Sequence, residues 1–408
     1  MTAYVTFYPL GDADSALIDL ADKRKVLVDF GNQRNPDKAD DPRCDLAAEL
    51  RANLRKAGRD SFDVVCFTHL DDDHCCRTGE FFWLDHAKAY QGEGRIRINE
   101  LWVPACALTE EGLKGDARLV QAEARHRLRE KKGIRIFSRA ERLKAWMEQE
   151  ELDYETRKHL FVDAGKLVPG FSKDGPERAE FFVHSPFAWR QDENTVVDRN
   201  GDAVAFQVTF KEATHETYAL FGSDLDHDAL SDIVKITRRY GNADRLRWDL
   251  MKLPHHCSYL SLGPERGEDE TVAVDEVKWL FETQGQKNCT IVSPSRPIPI
   301  AGTDGDKDSQ PPHRQAANHH RRVAREKGGT FRVTMEEPRK DAPKPSGSRS
   351  AGSDWLWRSR RRASSLRRRR HRRARADADG LDRRMGLGAR SSRACARDRT
   401  SGRVILGR

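Results

Sequence analysis

The sequence predicts a mixed α/β fold, and three observations carry that prediction. Over the first 150 residues, short apolar runs of strand length alternate with longer stretches of helical period. From residue 180 the β pattern begins again, with runs at 180–186, 203–210 and 218–221, and a second alternation of strand and helix follows. At 408 residues the chain is long enough for one large α/β domain or two ordinary ones, with ample core.

Taken in order, residues 4–8, 15–20 and 25–30 read as three short strands of an opening meander. They are separated by the turn residues Gly11-Asp12-Ala13-Asp14 and Asp22-Lys23. Pro42 after Asp41 is expected to open a helix with Leu46, Leu50 and Leu54 on one face, which Gly58 closes. Val64 to Phe67 is an apolar strand, and Phe81 to Leu84 a short buried helix. Residues 98–103 read as strand, and 110–132 as a long helix so charged that a solvated surface is expected. Residues 134–137 read as strand, 139–150 as helix, and 152–178 as loop. After the second β run come helices at 273–284 and 312–327 and strands at 288–293 and 330–334. His313, His319 and His320 are expected to be scattered on the surface.

The chemistry concentrates in Thr68-His69-Leu70-Asp71-Asp72-Asp73-His74, directly after an apolar strand. A rigid strand end projects two imidazoles and several carboxylates into one small volume, and neighbouring carboxylates repel unless a cation lies among them. Imidazole nitrogen and carboxylate oxygen are ligands for zinc, manganese or iron. The alternative, an acidic turn capping the next helix, needs one Asp and neither histidine.

His69-x-Asp71-x-Asp73-His74 resembles the second signature of the metallo-β-lactamase superfamily, in the variant where the middle His is Asp. That variant is similar to the hydrolase domain of bacterial DNA-uptake (competence) channel proteins and their soluble relatives. Val26 to Gly31 resembles the first signature, and the resemblance gives Asp29 a buttressing role. Gly11-Asp12-Ala13-Asp14-Ser15 resembles the family's Gly-rich turn near the site, although an ordinary hairpin turn accounts for it equally well. Tyr218-Ala219-Leu220-Phe221-Gly222-Ser223-Asp224 resembles the strand that supplies a bridging carboxylate, Asp224; a helix cap is the other reading of that Asp. Leu253-Pro254-His255-His256-Cys257-Ser258 resembles the His-His-Gly-Ser signature with Cys257 in place of Gly, which brings the loop's backbone geometry into question. His184 at a strand exit is either a further ligand or a hydrogen-bonded core histidine.

The resemblance covers about residues 3–334 and implies an αββα four-layer sandwich with the site at one edge of two facing sheets. It implies two divalent metal ions, zinc or manganese, held by His69, Asp71, Asp73, His74, Asp224 and His256, with His255 open as the alternative to His256. A metal-activated hydroxide would then attack the substrate, oriented by Asp73, while His255 or His256 protonates the leaving group. By resemblance the substrate is a phosphodiester or nucleic-acid-related molecule. A thioester, lactone or lactam would use the same metals. A non-catalytic nucleic-acid-binding protein with a structural metal is the alternative from another class, and the carboxylate-rich, three-loop ligand set argues against it.

Charge divides the chain. From Arg339 onward 23 Lys and Arg face 6 Asp and Glu, a net of +17, which leaves residues 1–338 at −9. The sequence therefore predicts a hydrolase domain at 1–337 and an Arg-rich, disordered segment at 338–408 that binds polyanions without reading sequence, or has no role. Trp355 and Trp357 could stack on bases there. Eight cysteines without a CxxC pair fit reduced thiols, and no apolar run approaches a membrane span, so a cytoplasmic location is expected.

Overall fold

The computed structural model describes residues 3–193, 198–351 and 354–359. Strands β1 (Tyr4–Phe7), β2 (Ala16–Asp19), β3 (Lys25–Val28), β4 (Ser61–Cys66), β5 (Arg97–Pro104) and β6 (Ile134–Phe137) belong to one sheet. Strands β7 (Ala179–Ser185), β8 (Ala205–Glu212), β9 (His215–Phe221), β10 (Trp248–Lys252), β11 (Gly285–Ser293) and β12 (Thr330–Val333) form the other. The first sheet is completed by β13 (Ser346–Ala351) and β14 (Asp354–Ser359), giving the order β14-β13-β1-β2-β3-β4-β5-β6. The second runs β12-β11-β10-β9-β8-β7. In each sheet an antiparallel meander, β1-β2-β3 or β7-β8-β9, leads into parallel strands.

Period-2 alternation explains the layers. Val26 and Val28 of β3 face the other sheet while Leu27 faces the helices, and on β9 Ala219 and Phe221 face inward while Leu220 faces out. The layer between the sheets is built around Trp102, whose ring meets Phe137, Phe171 and Phe181 edge-on at centroid distances of 5.7, 5.7 and 5.4 Å. Burying such a side chain contributes about 1.5–3 kcal/mol. Helices Leu46–Ala57, Gly115–Arg129 and Glu141–Gln149 cover the outside of the first sheet, and His227–Arg239, Asp275–Glu282 and Arg314–Glu326 cover the second. This is the αββα four-layer arrangement that the resemblance implies.

The first covering helix starts at Leu46, later than Pro42 suggests, because Asp45 caps it by accepting from the Ala48 N–H at 3.0 Å; Gly58 ends it at φ 67°. The charged helix begins at Gly115, and its charges are not all solvated: Glu123 and Arg127 are buried and paired at 2.7 Å. His313, His319 and His320 are buried, not exposed, because His319 and His320 share a helix face with Ala316, Val323 and Ala324. Residues 338–353, the start of the segment expected to be disordered, contain β13, which pairs with β1 from Tyr4↔Arg349 to Phe7↔Ser346. The pairing is made by backbone groups, which explains why a Ser- and Gly-rich sequence carries no strand signal. The disorder expected for 360–408 lies outside the described residues. Among the described residues no helix is long and apolar enough to cross a membrane.

Candidate metal centre

The site lies where four parallel strands end. Val28 of β3 pairs with Cys66 of β4, and Phe221 of β9 pairs with Lys252 of β10, so the loops after these strands start level with one another. They deliver Asp29, Thr68 to His74, Ser223-Asp224 and His255-His256. Backbone bonds join them: the Asp14 N–H donates to the Asp73 carbonyl at 2.9 Å, and the Phe30 N–H to that of His74 at 2.8 Å. Gly31 is required by the same contact, since a Cβ there would fall 1.9 Å from the Asp73 carbonyl oxygen.

Asp29 is fully buried and accepts at both oxygens, Oδ1 from the Thr68 N–H at 2.7 Å and Oδ2 from the Thr68 hydroxyl at 2.8 Å. His74 Nδ1 lies 3.0 Å from Asp29 Oδ2 and donates to it, because an ionised carboxylate only accepts. Ser223 Oγ donates to Thr68 Oγ1 at 2.7 Å. Both hydroxyl protons are then in use, so His69 Nδ1, 3.3 Å from each oxygen, supplies the proton there. His256 Nδ1 donates to the Pro294 carbonyl at 2.8 Å.

Three imidazoles are thus fixed through Nδ1, and the lone pair of each Nε2 points at carboxylates. His74 Nε2 lies 3.2 Å from Asp224 Oδ1 and 3.6 Å from Asp73 Oδ2. His256 Nε2 lies 3.0 Å from Asp73 Oδ2 and 3.4 Å from Asp224 Oδ2. His69 Nε2 faces Asp71 Oδ2 at 3.6 Å. His69 Nε2, His74 Nε2 and Asp224 Oδ1 are buried without a hydrogen-bond partner. Lone pairs facing lone pairs in a buried pocket require a positive charge between them, a cation or a proton. Burial opposes charging His74, yet Asp224, Asp29 and Asp73 hold it well above the ordinary imidazole value. Burial likewise opposes ionising Asp224, and His74 and His256 nevertheless hold it well below the usual carboxylate range.

Asp73, His74, Asp224 and His256 each offer a ligand atom within 4.8 Å of the others, a donor set that fits a divalent ion. His255 is half-buried and outside this group. Asp71 is also outside it, bound instead at 2.5 Å by Arg199, whose guanidinium also holds Glu110 at 2.5 Å. His184 is turned away, with Nε2 donating to the Arg245 carbonyl at 2.9 Å, and burial pushes its pKa down to about 4.

The backbone around the centre is strained. Asp29, Ser223, His255, His256 and Cys257 all have positive φ, at 60°, 49°, 46°, 50° and 68°. Each such residue costs on the order of 1–3 kcal/mol, and that kind of strain clusters at functional sites. Cys257 therefore does take the left-handed conformation that a Gly would adopt freely, and burial pushes its thiol up to about 12. Sequence reasoning missed Lys252, fully buried and ion-paired to the buried Asp14. A Lys closing an apolar strand before Pro-His-His was the available signal. Arg199, Glu110 and Ser223 carried none.

No protein-family model matches the chain, and no curated protein matches it. Among solved structures it is similar to the crystal structure of a new diphosphatase from the PhnP family. The two are 12% identical, the match covers 72% of this chain and 85% of that chain, and the TM-score is 0.28. What the site can do follows from its own side chains.

Proposed function

We propose that the chain is a metal-dependent hydrolase acting on a phosphodiester. The observation that carries this reading is the convergence of His74 and His256 Nε2 on the Asp73 and Asp224 carboxylates, with each Nδ1 anchored from behind. A divalent ion bound there, zinc or manganese by its donor set, supplies Lewis acidity toward a substrate oxygen and a nucleophile from water at neutral pH.

The protein's own part is to fix that geometry and handle protons. Asp73, with a side chain 26% exposed, is the ligand nearest solvent and can orient an attacking water. His256 is committed to the carboxylates, so the leaving-group role falls to His255, which forms no ion pair among the described residues. A phosphodiester is favoured over an acyl substrate by the resemblance of the His69 to His74 motif to DNA-uptake hydrolases.

The test is turnover of bis(p-nitrophenyl) phosphate, single-stranded DNA, a thioester and a lactone by metal-loaded protein. Phosphodiester cleavage is expected, abolished by chelation, restored by zinc or manganese, and absent in Asp73→Ala and His74→Ala. Turnover of the acyl substrates alone would overturn the substrate class, and activity indifferent to chelation would overturn the metal.

A further inference from the structure

Building on the metal-dependent reading above, we infer that the centre takes one divalent ion, at Asp73, His74, Asp224 and His256, and that the Arg199 guanidinium stands where a second would bind. The six side chains that the sequence offers as a two-ion set do not stay together in the fold. Four of them place ligand atoms within 4.8 Å of one another. The remaining pair, His69 and Asp71, falls outside that group, with Nε2 and Oδ2 3.6 Å apart.

That pair already has a cation. Arg199 Nη1 donates to Asp71 Oδ1 at 2.5 Å, while its Nε and Nη2 donate to Glu110 Oε1 at 2.8 and 2.5 Å. A second ion would find only His69 Nε2 and Asp71 Oδ2 as ligands, against the charge of a guanidinium gripped by two carboxylates. His184, the other histidine that could complete such a set, is spent on the Arg245 carbonyl. Asp224 does not make up the difference, since among the described residues no third imidazole or carboxylate groups with His69 and Asp71 within ligand reach.

The substitution changes the division of labour. A guanidinium carries a permanent positive charge and a planar fork of donors suited to phosphate oxygens, but it does not acidify water as a metal does. Generating the nucleophile therefore falls to the four-residue centre. Arg199 supplies charge opposite the developing oxyanion, anchored by Glu110 so that it stays in place during turnover.

Metal stoichiometry tests this without recourse to activity. The full chain is dialysed against excess manganese or zinc, desalted and analysed by mass spectrometry. Electron paramagnetic resonance of the manganese form then reports spin coupling between neighbouring ions. One ion per chain and an uncoupled signal are expected. Arg199→Met frees Asp71 and should raise the content to two with a coupled signal, and Arg199→Met combined with Asp71→Asn should return it to one. The Arg199 side chain is 34% exposed, so its replacement does not threaten the core, and circular dichroism checks this. Two ions in the unmodified chain, or one ion in Arg199→Met, would overturn the inference and leave the metal reading standing. No ion in the unmodified chain would overturn both.

Discussion

Replacing Asp29 by Asn isolates what the buried carboxylate does for the centre. The backbone there sits at φ 60°, a conformation that Asn tolerates about as well as Asp, so the change acts through the side chain alone. Asp29 accepts from three donors: the Thr68 N–H, the Thr68 hydroxyl and His74 Nδ1. An amide offers one oxygen and one NH2, so one donor must face another donor. The backbone N–H cannot turn away but the hydroxyl can, so the amide oxygen should stay on Thr68 N–H and the NH2 should face His74. His74 then accepts at Nδ1, and its proton moves to Nε2, the atom aimed at Asp73 and Asp224. An incoming ion must displace that proton and forgo a charge-assisted hydrogen bond, which contributes about 1.5–3 kcal/mol. At 1.4 kcal/mol per tenfold, metal affinity should fall by about 10–100-fold, with stoichiometry unchanged at saturation. Competition against a chromophoric chelator measures this. An unchanged affinity, or no metal at saturation in a folded variant, would refute the reasoning.

Lys252→Met should cost about 3–5 kcal/mol in urea unfolding, because it strands the buried Asp14 carboxylate; adding Asp14→Asn should recover most of that loss, and no recovery would show that the pair is not the cause. Burial, followed by repulsion from Asp198, pushes Asp202 up to about 7, so between about pH 4 and 7 the folded state keeps a proton that the unfolded state has released. Stability should therefore decline as pH rises through that window, by on the order of 4 kcal/mol, and Asp202→Asn should flatten the decline in thermal melts; an unchanged slope would remove Asp202 as its source. We place the end of the folded domain beyond β14. A chain ending at Arg360 should keep its metal, whereas one ending at Glu337 loses β13, bares the β1 edge and should self-associate in light scattering. A monomeric, metal-loaded 1–337 chain would restore the earlier boundary.

The fold was legible where short apolar runs end at turn residues. Val26-Leu27-Val28 and Ala219-Leu220-Phe221 are continuous apolar runs of strand length, the pattern of strands buried on both faces. The candidate donor group was legible because Asp73 and His74 are adjacent, and because Asp224 and His256 follow apolar strands. What escaped was held by partners distant in sequence: Arg199 reaches Asp71 across 128 positions and Lys252 reaches Asp14 across 238. No local pattern marks such pairs. The misplaced histidines are a different failure, because Ala316, His320, Val323 and Ala324 do have helical spacing, and treating imidazole as a surface group concealed it.

Asp73 and His74 come from the first sheet's loops and Asp224 and His256 from the second's, so an ion held by all four is a clasp across the sandwich. It joins positions 183 residues apart in Asp73 and His256, closing from outside a seam that the Trp102 layer closes from within. Occupancy at a thousand times the dissociation constant would add about 4 kcal/mol to the folded state, so the melting temperature should track free metal and serve as an affinity assay that needs no substrate.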